Sequence, residues 1–212
     1  MSEIVSPAIQ RYAEDHTAVE PPLLKKISRD TFADVLMPRM LSGHLQGRFL
    51  AAISRMIRPR MILEIGTYTG YSALCLLEGL QQGGKLITID FNEELEGRVR
   101  QYFYDAGVEA RVDFRIGRAG DIVPGLDGPF DLVWLDADKE NYSLYYDQVI
   151  DKVHSGGWIL ADNVLWSGKV IGGETDKDTR AIRAFNDKVM ADSRVRTVML
   201  PIRDGISLIQ RI

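Results

Sequence analysis

Cysteine is almost absent from this chain of 212 residues, since Cys75 is the only one. A single cysteine excludes an internal disulfide and a metal site built from several thiolates. The residues beside Cys75 are leucines, which predicts a thiol packed in the core. A thiolate metal centre is therefore not expected.

Positive charge is not in excess, because 26 Lys and Arg stand against 30 Asp and Glu, giving a formal net charge of -4. Binding to the phosphates of a nucleic acid requires a basic excess. No apolar run approaches the roughly 18 residues of a membrane span, and the first 16 residues lack the apolar segment of a signal peptide. We therefore expect a cytoplasmic protein that binds neither nucleic acid nor membranes.

Short apolar runs alternate with helical stretches from residue 60 onward. Their near-continuous apolar character is typical of strands buried on both faces of a parallel sheet. The predicted strands lie at 61–66, 85–90, 112–117, 130–136 and 157–162. Two later runs flank a tight turn at 203–205 and predict an antiparallel hairpin that closes the sheet. The pattern predicts an α/β fold.

The N-terminal part of the chain has a helical pattern instead. Amphipathic spacing predicts helices at 7–16, 21–36 and 43–57. No linker rich in Pro, Gly or Ser separates this part from the rest of the chain. We predict one domain over residues 1–212, with residues 1–58 forming a helical cap within it.

The first predicted strand leads into a turn with two glycines. Gly66 and Gly70 permit a sharp bend and a close approach of a ligand, and a helix begins at about Tyr71. Their spacing is not the G-x-G-x-x-G of dinucleotide-binding folds, which argues against a dehydrogenase. Glu64 inside the strand and Asp90 at the end of the second, where an acid can bind ribose hydroxyls, favour S-adenosylmethionine. The alternative is an ordinary tight turn.

Polar residues end two other predicted strands, which are neighbours in the usual order of a doubly wound sheet. Asp136 ends the fourth strand, and Asp162 and Asn163 end the fifth. The carboxyl ends of adjacent parallel strands converge, so these side chains are expected to meet. Two carboxylates and an amide oxygen suit Mg²⁺, Ca²⁺ or Mn²⁺, whereas zinc favours His and Cys. The alternative is that each residue only caps a strand or forms a turn.

Lys139 lies three residues after Asp136, near the start of the next predicted helix. The helix dipole disfavours a cation at that end of a helix, so the lysine calls for an explanation. Beside a divalent cation its amine would be driven towards the neutral form, which a general base requires. The alternative is a solvent-exposed lysine paired with Asp138 or Glu140.

Five segments of the chain are similar to one known family. They are LEIGTYTGYSALCL, TID, FDLVWLDADKENY, GGWILADNVLWSGKV and LPIRDGISLIQRI. They resemble the cation-dependent O-methyltransferases, which include caffeoyl-CoA and catechol O-methyltransferases, and within that family the small bacterial members. The resemblance extends from about residue 36 to the C-terminus.

The resemblance implies a fold and several binding partners. The fold is the Rossmann-like sandwich of class I methyltransferases, with a mostly parallel seven-stranded sheet and an antiparallel C-terminal strand. The cofactors are S-adenosylmethionine and a divalent cation, Mg²⁺ first, with Ca²⁺ or Mn²⁺ as alternatives. The acceptor is a small phenolic molecule, and the protein is expected to form a homodimer.

The resemblance also implies a role for each matching residue. Asp136, Asp162 and Asn163 match metal ligands, and Lys139 matches the catalytic base, with Asp136 beside it. The positions that match contacts with S-adenosylmethionine are Met40, Ser42, Glu64, Gly66, Thr67, Tyr68, Ser72, Asp90, Ala119 and Asp136. Trp166 is expected to flank the acceptor ring or, alternatively, to be a packing aromatic.

We therefore expect a divalent-cation-dependent transfer of a methyl group to a hydroxyl of a catechol-like or hydroxycinnamoyl molecule. The loop at 170–179 is short and rich in glycine, and it lacks the aromatic and basic insertion with which plant members bind a CoA ester. This departure counts against a CoA ester as the acceptor. Two alternatives stay open: a metal-independent methyltransferase acting on another nucleophile, and a protein that only binds the cofactor.

Overall fold

A seven-stranded sheet forms the centre of the computed structural model, which describes residues 5–212. The strand order is β3-β2-β1-β4-β5-β7-β6. The strands are β1 (Met61–Ile65), β2 (Lys85–Asp90), β3 (Val112–Ile116), β4 (Phe130–Leu135), β5 (Val153–Asp162), β6 (Val195–Leu200) and β7 (Ile206–Arg211). Strands β1 to β5 pair in parallel, whereas β7 runs antiparallel to β5 and β6. The predicted fold class and C-terminal hairpin are confirmed.

Helices lie on both faces of this sheet. They are α1 (Pro7–Asp15), α2 (Pro22–Asp34), α3 (Gly43–Ile57), α4 (Tyr71–Leu77), α5 (Glu96–Asp105), α6 (Ala119–Ile122), α7 (Tyr142–Val149) and α8 (Lys177–Ala191). The three predicted N-terminal helices are present, and residues 1–4 of the cap lie outside the described residues. Within residues 5–212, no helix has the length and apolar character needed to cross a membrane.

Alternating residues of the central strands divide the core into two layers. Leu132 and Trp134 of β4 belong to the layer that includes residues of α2, α3, α4 and α5. Val133 and Leu135 belong to the opposite layer, with residues of α6, α7 and α8. Cys75 is buried in the first layer, as predicted, and burial raises the pKa of its thiol to about 12. The thiol therefore stays protonated and acts as a small apolar group.

Strand β5 begins earlier than the sequence predicts, at Val153 rather than near residue 157. The pairing register of β4 with β5 shifts between Phe130 and Leu132, which marks a bulge. Gly156 in the bulge has a φ of 88°, a conformation that glycine adopts without strain. The glycines that permit this bulge are the reason that the segment resembles a loop in the sequence.

Candidate functional site

The turn between β1 and α4 lies directly against the end of β4. Gly66 has a φ of 105°, and a Cβ atom on it would lie 2.0 Å from the carbonyl oxygen of Asp136. The backbone N–H of Asp136 donates to the carbonyl of Ile65 at 2.9 Å. Only glycine permits this approach, and the turn thereby brings the predicted cofactor end of the sheet next to the predicted metal end.

Glu64 is buried in this region and already has protein partners. Its carboxylate oxygens accept hydrogen bonds from the hydroxyls of Ser72 at 2.6 Å and Thr88 at 2.5 Å. The hydroxyl of Thr67 lies 2.5 Å from that of Thr88 and extends the network. Burial raises the pKa of Glu64 to about 8, and the nearby carboxylates of Asp136 and Asp90 add to the rise. Glu64, Thr67 and Ser72 therefore form one polar cluster beneath the turn.

Asp90 lies at the end of β2, next to the same turn. Its carboxylate accepts hydrogen bonds from the backbone N–H groups of Tyr68 at 2.6 Å and Asn92 at 2.9 Å. Burial raises the pKa of Asp90, while these N–H groups lower it in part. The hydroxyl of Tyr68 donates to the carbonyl of Leu36 at 3.0 Å, which ties the turn to the N-terminal cap. These hydrogen bonds thus hold the side chain of Asp90 in a fixed orientation at the C-terminal end of β2.

The other predicted cofactor residues occupy three places around this turn. Met40 ends a 3₁₀ turn at Pro38–Met40 and is largely exposed. Ser42, which immediately precedes α3, is buried, and Ala119 is buried at the first residue of α6. Their predicted contacts with S-adenosylmethionine, like those of the residues above, stay predictions.

The two predicted carboxylate ligands of the metal lie on neighbouring strands. Leu135 of β4 pairs with Ala161 of β5, so Asp136 and Asp162, the next residues, stand side by side. Asp162 is only 3% exposed. Burial raises its pKa, and the carboxylate of Asp136 raises it further. Asn163 follows with a φ of 57°, a left-handed conformation that asparagine tolerates better than most residues.

Lys139 contacts Asp136 directly. Its Nζ lies 3.1 Å from Oδ1 of Asp136 and 2.8 Å from the hydroxyl of Tyr142, and its side chain is only 11% exposed. Asp138 and Glu140 are exposed and do not pair with it among the described residues. The alternative of a solvent-exposed lysine paired with one of them is therefore wrong. Lys139 therefore contacts the partly buried carboxylate of Asp136, and its charge also acts on the buried carboxylate of Asp162.

Comparison with known proteins identifies the family. A family model described as O-methyltransferase matches residues 14–212. The caffeoyl-CoA O-methyltransferase of Mesembryanthemum crystallinum is 36% identical over 209 residues, which cover 91% of this chain and 81% of that protein. The chain belongs to the O-methyltransferase family. The predicted enzyme class, an S-adenosylmethionine-dependent O-methyltransferase, is confirmed.

Solved structures agree with this assignment. The SAH-bound methyltransferase PaMTH1 of Podospora anserina is similar with a TM-score of 0.90 and 29% identity, covering 97% of this chain and 94% of that chain. The O-methyltransferase of Bacillus cereus in complex with SAH gives a TM-score of 0.89 and 29% identity, covering 97% of each chain. The cation, the acceptor, the individual site residues, the homodimer and the cytoplasmic location stay predictions.

The residues at the ends of β4 and β5 fit a hard divalent cation in this O-methyltransferase. The side chains of Asp136 and Asp162 offer carboxylate oxygens as metal ligands, and the side chain of Asn163 offers its amide oxygen. Within residues 5–212, no group of three or more His, Cys, Asp and Glu side chains is arranged to hold a metal. The candidate set has two carboxylates, so the amide and ligands from outside the chain would have to complete it.

Trp166 lies in the 3₁₀ segment Trp166–Ile171 that follows β5. Its ring packs against the core layer of α6, α7 and α8, as the packing interpretation predicts. Nζ of Lys139 lies 6.0 Å from the ring centroid, so the ring also borders the candidate site. Its indole N–H is buried and has no hydrogen-bond partner among residues 5–212. Contact with an acceptor stays a prediction.

Sequence reasoning missed Tyr142 and two residues far from it in the chain. The hydroxyl of Tyr142 lies 3.3 Å from the carbonyl of Leu135 and 3.1 Å from that of Asp162, so it joins the ends of β4 and β5. Its position three residues after Lys139 was a usable signal, because such residues share a helix face. Gln46 and Arg203 also reach the site, and no local pattern marks either of them.

Proposed function

We propose that this O-methyltransferase depends on a divalent cation and methylates a small aromatic molecule with neighbouring hydroxyls. The observation that carries the proposal is the pair of the partly buried Asp136 and the buried Asp162 at the ends of adjacent strands, with Lys139 against Asp136. The two adjacent carboxylates repel each other, and the positive charges near them, those of Lys139 and Arg203, are shared with the carboxylate of Asp204. A divalent cation would supply the missing positive charge.

The oxygens of Asp136, Asp162 and Asn163 would hold that cation. When bound, it would supply a Lewis acid that lowers the pKa of an acceptor hydroxyl and helps to orient the ring. Mg²⁺ is the first candidate because the donor set is hard and small, and Mn²⁺ and Ca²⁺ are the alternatives.

The residues of the chain itself carry out the proton transfer and the positioning. Lys139, held at 2.8 Å from the Tyr142 hydroxyl, takes the proton of the acceptor hydroxyl at its Nζ atom as an uncharged amine, the form that a bound cation nearby would favour. The acceptor oxygen forms a bond to the methyl carbon, the bond from that carbon to sulfur breaks, and the electron pair stays on sulfur. Holding both substrates in one site contributes about 7–11 kcal/mol in favourable cases.

The proposed acceptor class is a catechol or a free hydroxycinnamate. Several relatives bear the name caffeoyl-CoA O-methyltransferase, which favours a hydroxycinnamoyl ring. The short loop at 170–179 offers little basic or aromatic surface for a CoA group. The ring of Trp166, which lies 6.0 Å from Nζ of Lys139, offers an aromatic surface for the ring of an acceptor.

A methylation screen tests the proposal. Purified protein, freed of metal with a chelator, is assayed with S-adenosylmethionine and with catechol, caffeate, caffeoyl-CoA or a flavonoid, each with Mg²⁺, Mn²⁺, Ca²⁺ or chelator. We expect product from catechol or caffeate only when a cation is added. Equal rates in chelator would overturn the cation dependence and favour the metal-independent alternative, in which the carboxylates are structural.

A further inference from the structure

Arg203, in the turn between β6 and β7, contacts the N-terminal cap through its side chain. Nη1 of Arg203 donates to Oε1 of Gln46 at 3.1 Å, although the two residues are 157 positions apart. The same nitrogen donates to the carbonyl of Leu41 at 3.0 Å and to the carbonyl of Ser42. Arg203 has a φ of 51°, an unfavourable conformation for a residue with a side chain, which these bonds offset.

Gln46 transmits this contact to the candidate metal site. It lies on α3 and is 1% exposed, and its Nε2 donates to Oδ2 of Asp162 at 2.6 Å. Alternation along β5 places Asp162 on the same face of the sheet as Leu160, which packs in the layer that includes residues of α3. The other carboxylate oxygen of Asp162 accepts a hydrogen bond from the backbone N–H of Asn163 at 2.8 Å.

The chemistry of the two neighbours leaves the amide of Gln46 one orientation. A guanidinium group only donates hydrogen bonds, so the amide oxygen must face Arg203. Oδ2 of Asp162 accepts from Nε2 of Gln46, so the amide NH₂ faces Asp162. A flipped amide would place two donors together and two acceptors together. Gln46 is therefore a fixed link between Arg203 and Asp162.

We propose that Gln46 and Arg203 are positioning residues for the metal and the cofactor. Gln46 orients the carboxylate of Asp162, and Arg203 orients Gln46 while holding the Leu41–Ser42 segment, which is predicted to lie over the methionine part of the cofactor. The proposal rests on the proposed cation dependence. It adds a physical connection between the two ends of the site, through a residue pair that contacts neither reacting group.

A purely structural role for Gln46 predicts something different. If Gln46 only stabilised the fold, Gln46→Met would lower the stability of the protein, because Oδ2 of Asp162 would lose its hydrogen-bond donor, but metal binding would not depend on the amide. The Gln46→Met variant would then keep the affinity of the wild type for metal. A positioning role predicts a loss of metal affinity that is not explained by a loss of stability.

The test uses metal-free full-length protein and two equilibrium titrations, with Mn²⁺ followed by electron paramagnetic resonance and with S-adenosylhomocysteine followed by calorimetry. We expect Gln46→Met to weaken Mn²⁺ binding by about tenfold or more, as is typical when a group that orients a ligand is removed. Its Kd for S-adenosylhomocysteine should change less than about threefold. Arg203→Met should weaken the binding of both Mn²⁺ and S-adenosylhomocysteine. Gln101→Met, on an exposed face of α5, is the matched control and should change neither.

Each outcome decides one question. If the wild type binds no Mn²⁺, the proposed cation dependence is wrong. If the wild type binds Mn²⁺ and Gln46→Met binds it equally well, the positioning proposal is wrong although the cation dependence stands. Should Gln46→Met fail to fold, Arg203→Met decides, because wild-type affinities for both ligands in that variant would overturn the proposal.

Discussion

The two ends of the site handle buried acids in different ways. At the cofactor end, Glu64 and Asp90 each accept two hydrogen bonds from neutral protein groups. At the metal end, Asp136 and Asp162 stand side by side, and Lys139 is the cation that contacts one of them. Asp162 also accepts two hydrogen bonds from neutral groups, the amide of Gln46 and the backbone N–H of Asn163, so the two ends differ in the second carboxylate beside it. At the metal end, Lys139 and Arg203 act on the paired carboxylates and on Asp204, and a bound cation would add further positive charge.

A bound ligand therefore contributes differently at the two ends of the site. Hydrogen bonds from N–H and O–H groups keep a buried carboxyl in place without adding charge. Two adjacent carboxylates, one of them buried, repel each other even with Lys139 beside them, so the chain retains the pair at the expense of stability. Such a cost is expected where a site must bind a cation.

Asp136→Ala should remove almost all cation-stimulated methyl transfer, by about a thousandfold, because a metal ion contributes several kcal/mol to such reactions. Binding of S-adenosylhomocysteine should be largely retained, since Glu64 and Asp90 keep their partners. Steady-state assays and calorimetry measure the two effects. Asp147→Asn, which changes an exposed acid on α7, is the control. Full activity of Asp136→Ala in excess chelator would contradict the account.

Lys139→Met should lower kcat by about a hundredfold, because the acceptor hydroxyl loses its base. Metal affinity should be retained or increased, since the ammonium competes with a cation for Asp136. The kcat and the Mn²⁺ Kd are measured on the same preparation. Lys177→Met is the matched control, because Lys177 is an exposed lysine that pairs with Glu140. An unchanged kcat in Lys139→Met would show that this lysine is not the base.

Gly66→Ala should destabilise the fold and both ends of the site together. A Cβ atom there meets the Asp136 carbonyl oxygen at 2.0 Å, and φ is 105°. Gly83→Ala is the matched control, since its φ is 75° but no atom lies within 4 Å of the added Cβ. The control should cost about 1–2 kcal/mol, the usual cost of a left-handed conformation. Chemical denaturation measures the free energy of unfolding of both variants. Equal losses of stability would mean that the contact between Gly66 and the Asp136 carbonyl is unimportant.

Glu64→Gln should change how stability depends on pH. The pKa of Glu64 is about 8 in the folded protein, and an unfolded Glu titrates near 4.3. Between these values the folded state keeps a proton that the unfolded state has lost, so wild-type stability falls as the pH rises from about 5 to about 8.

Glutamine does not titrate, so the stability of the variant should not fall in this way. Relative to the wild type, the variant should become more stable as the pH rises from about 5 to about 8. Urea denaturation at pH 5, 7 and 9 measures the difference, and Glu94→Gln, at an exposed position, is the control. Parallel pH profiles for Glu64→Gln and the wild type would show that Glu64 is ionised in the fold.

The strands and the meeting of Asp136 with Asp162 were predictable from the sequence. Continuous apolar runs mark β1, β2 and β4, and the usual strand order makes β4 and β5 neighbours. Residues at the ends of such strands must then lie close together. The early start of β5 was not predictable, because the glycines of a bulge resemble those of a loop.

The connections around the site were beyond sequence reasoning. The partner of Lys139 is Asp136 rather than the exposed acids beside it, and this depends on the direction in which the chain leaves β4. Gln46 reaches Asp162 across 116 positions of the chain, and Arg203 reaches Gln46 across 157. Contacts of this kind arise from the packing of α3 and the β6–β7 turn against the sheet, which no local pattern encodes.

Direct measurement of Mn²⁺ binding is the most direct test of the central claim, that the paired carboxylates form a cation site. Metal-free wild-type protein and the Asp136→Ala, Asp162→Ala double variant are titrated with Mn²⁺ under electron paramagnetic resonance. The account predicts one saturable Mn²⁺ per chain in the wild type and none at the same concentrations in the double variant. No saturable binding in the wild type, or equal binding in both proteins, would contradict it.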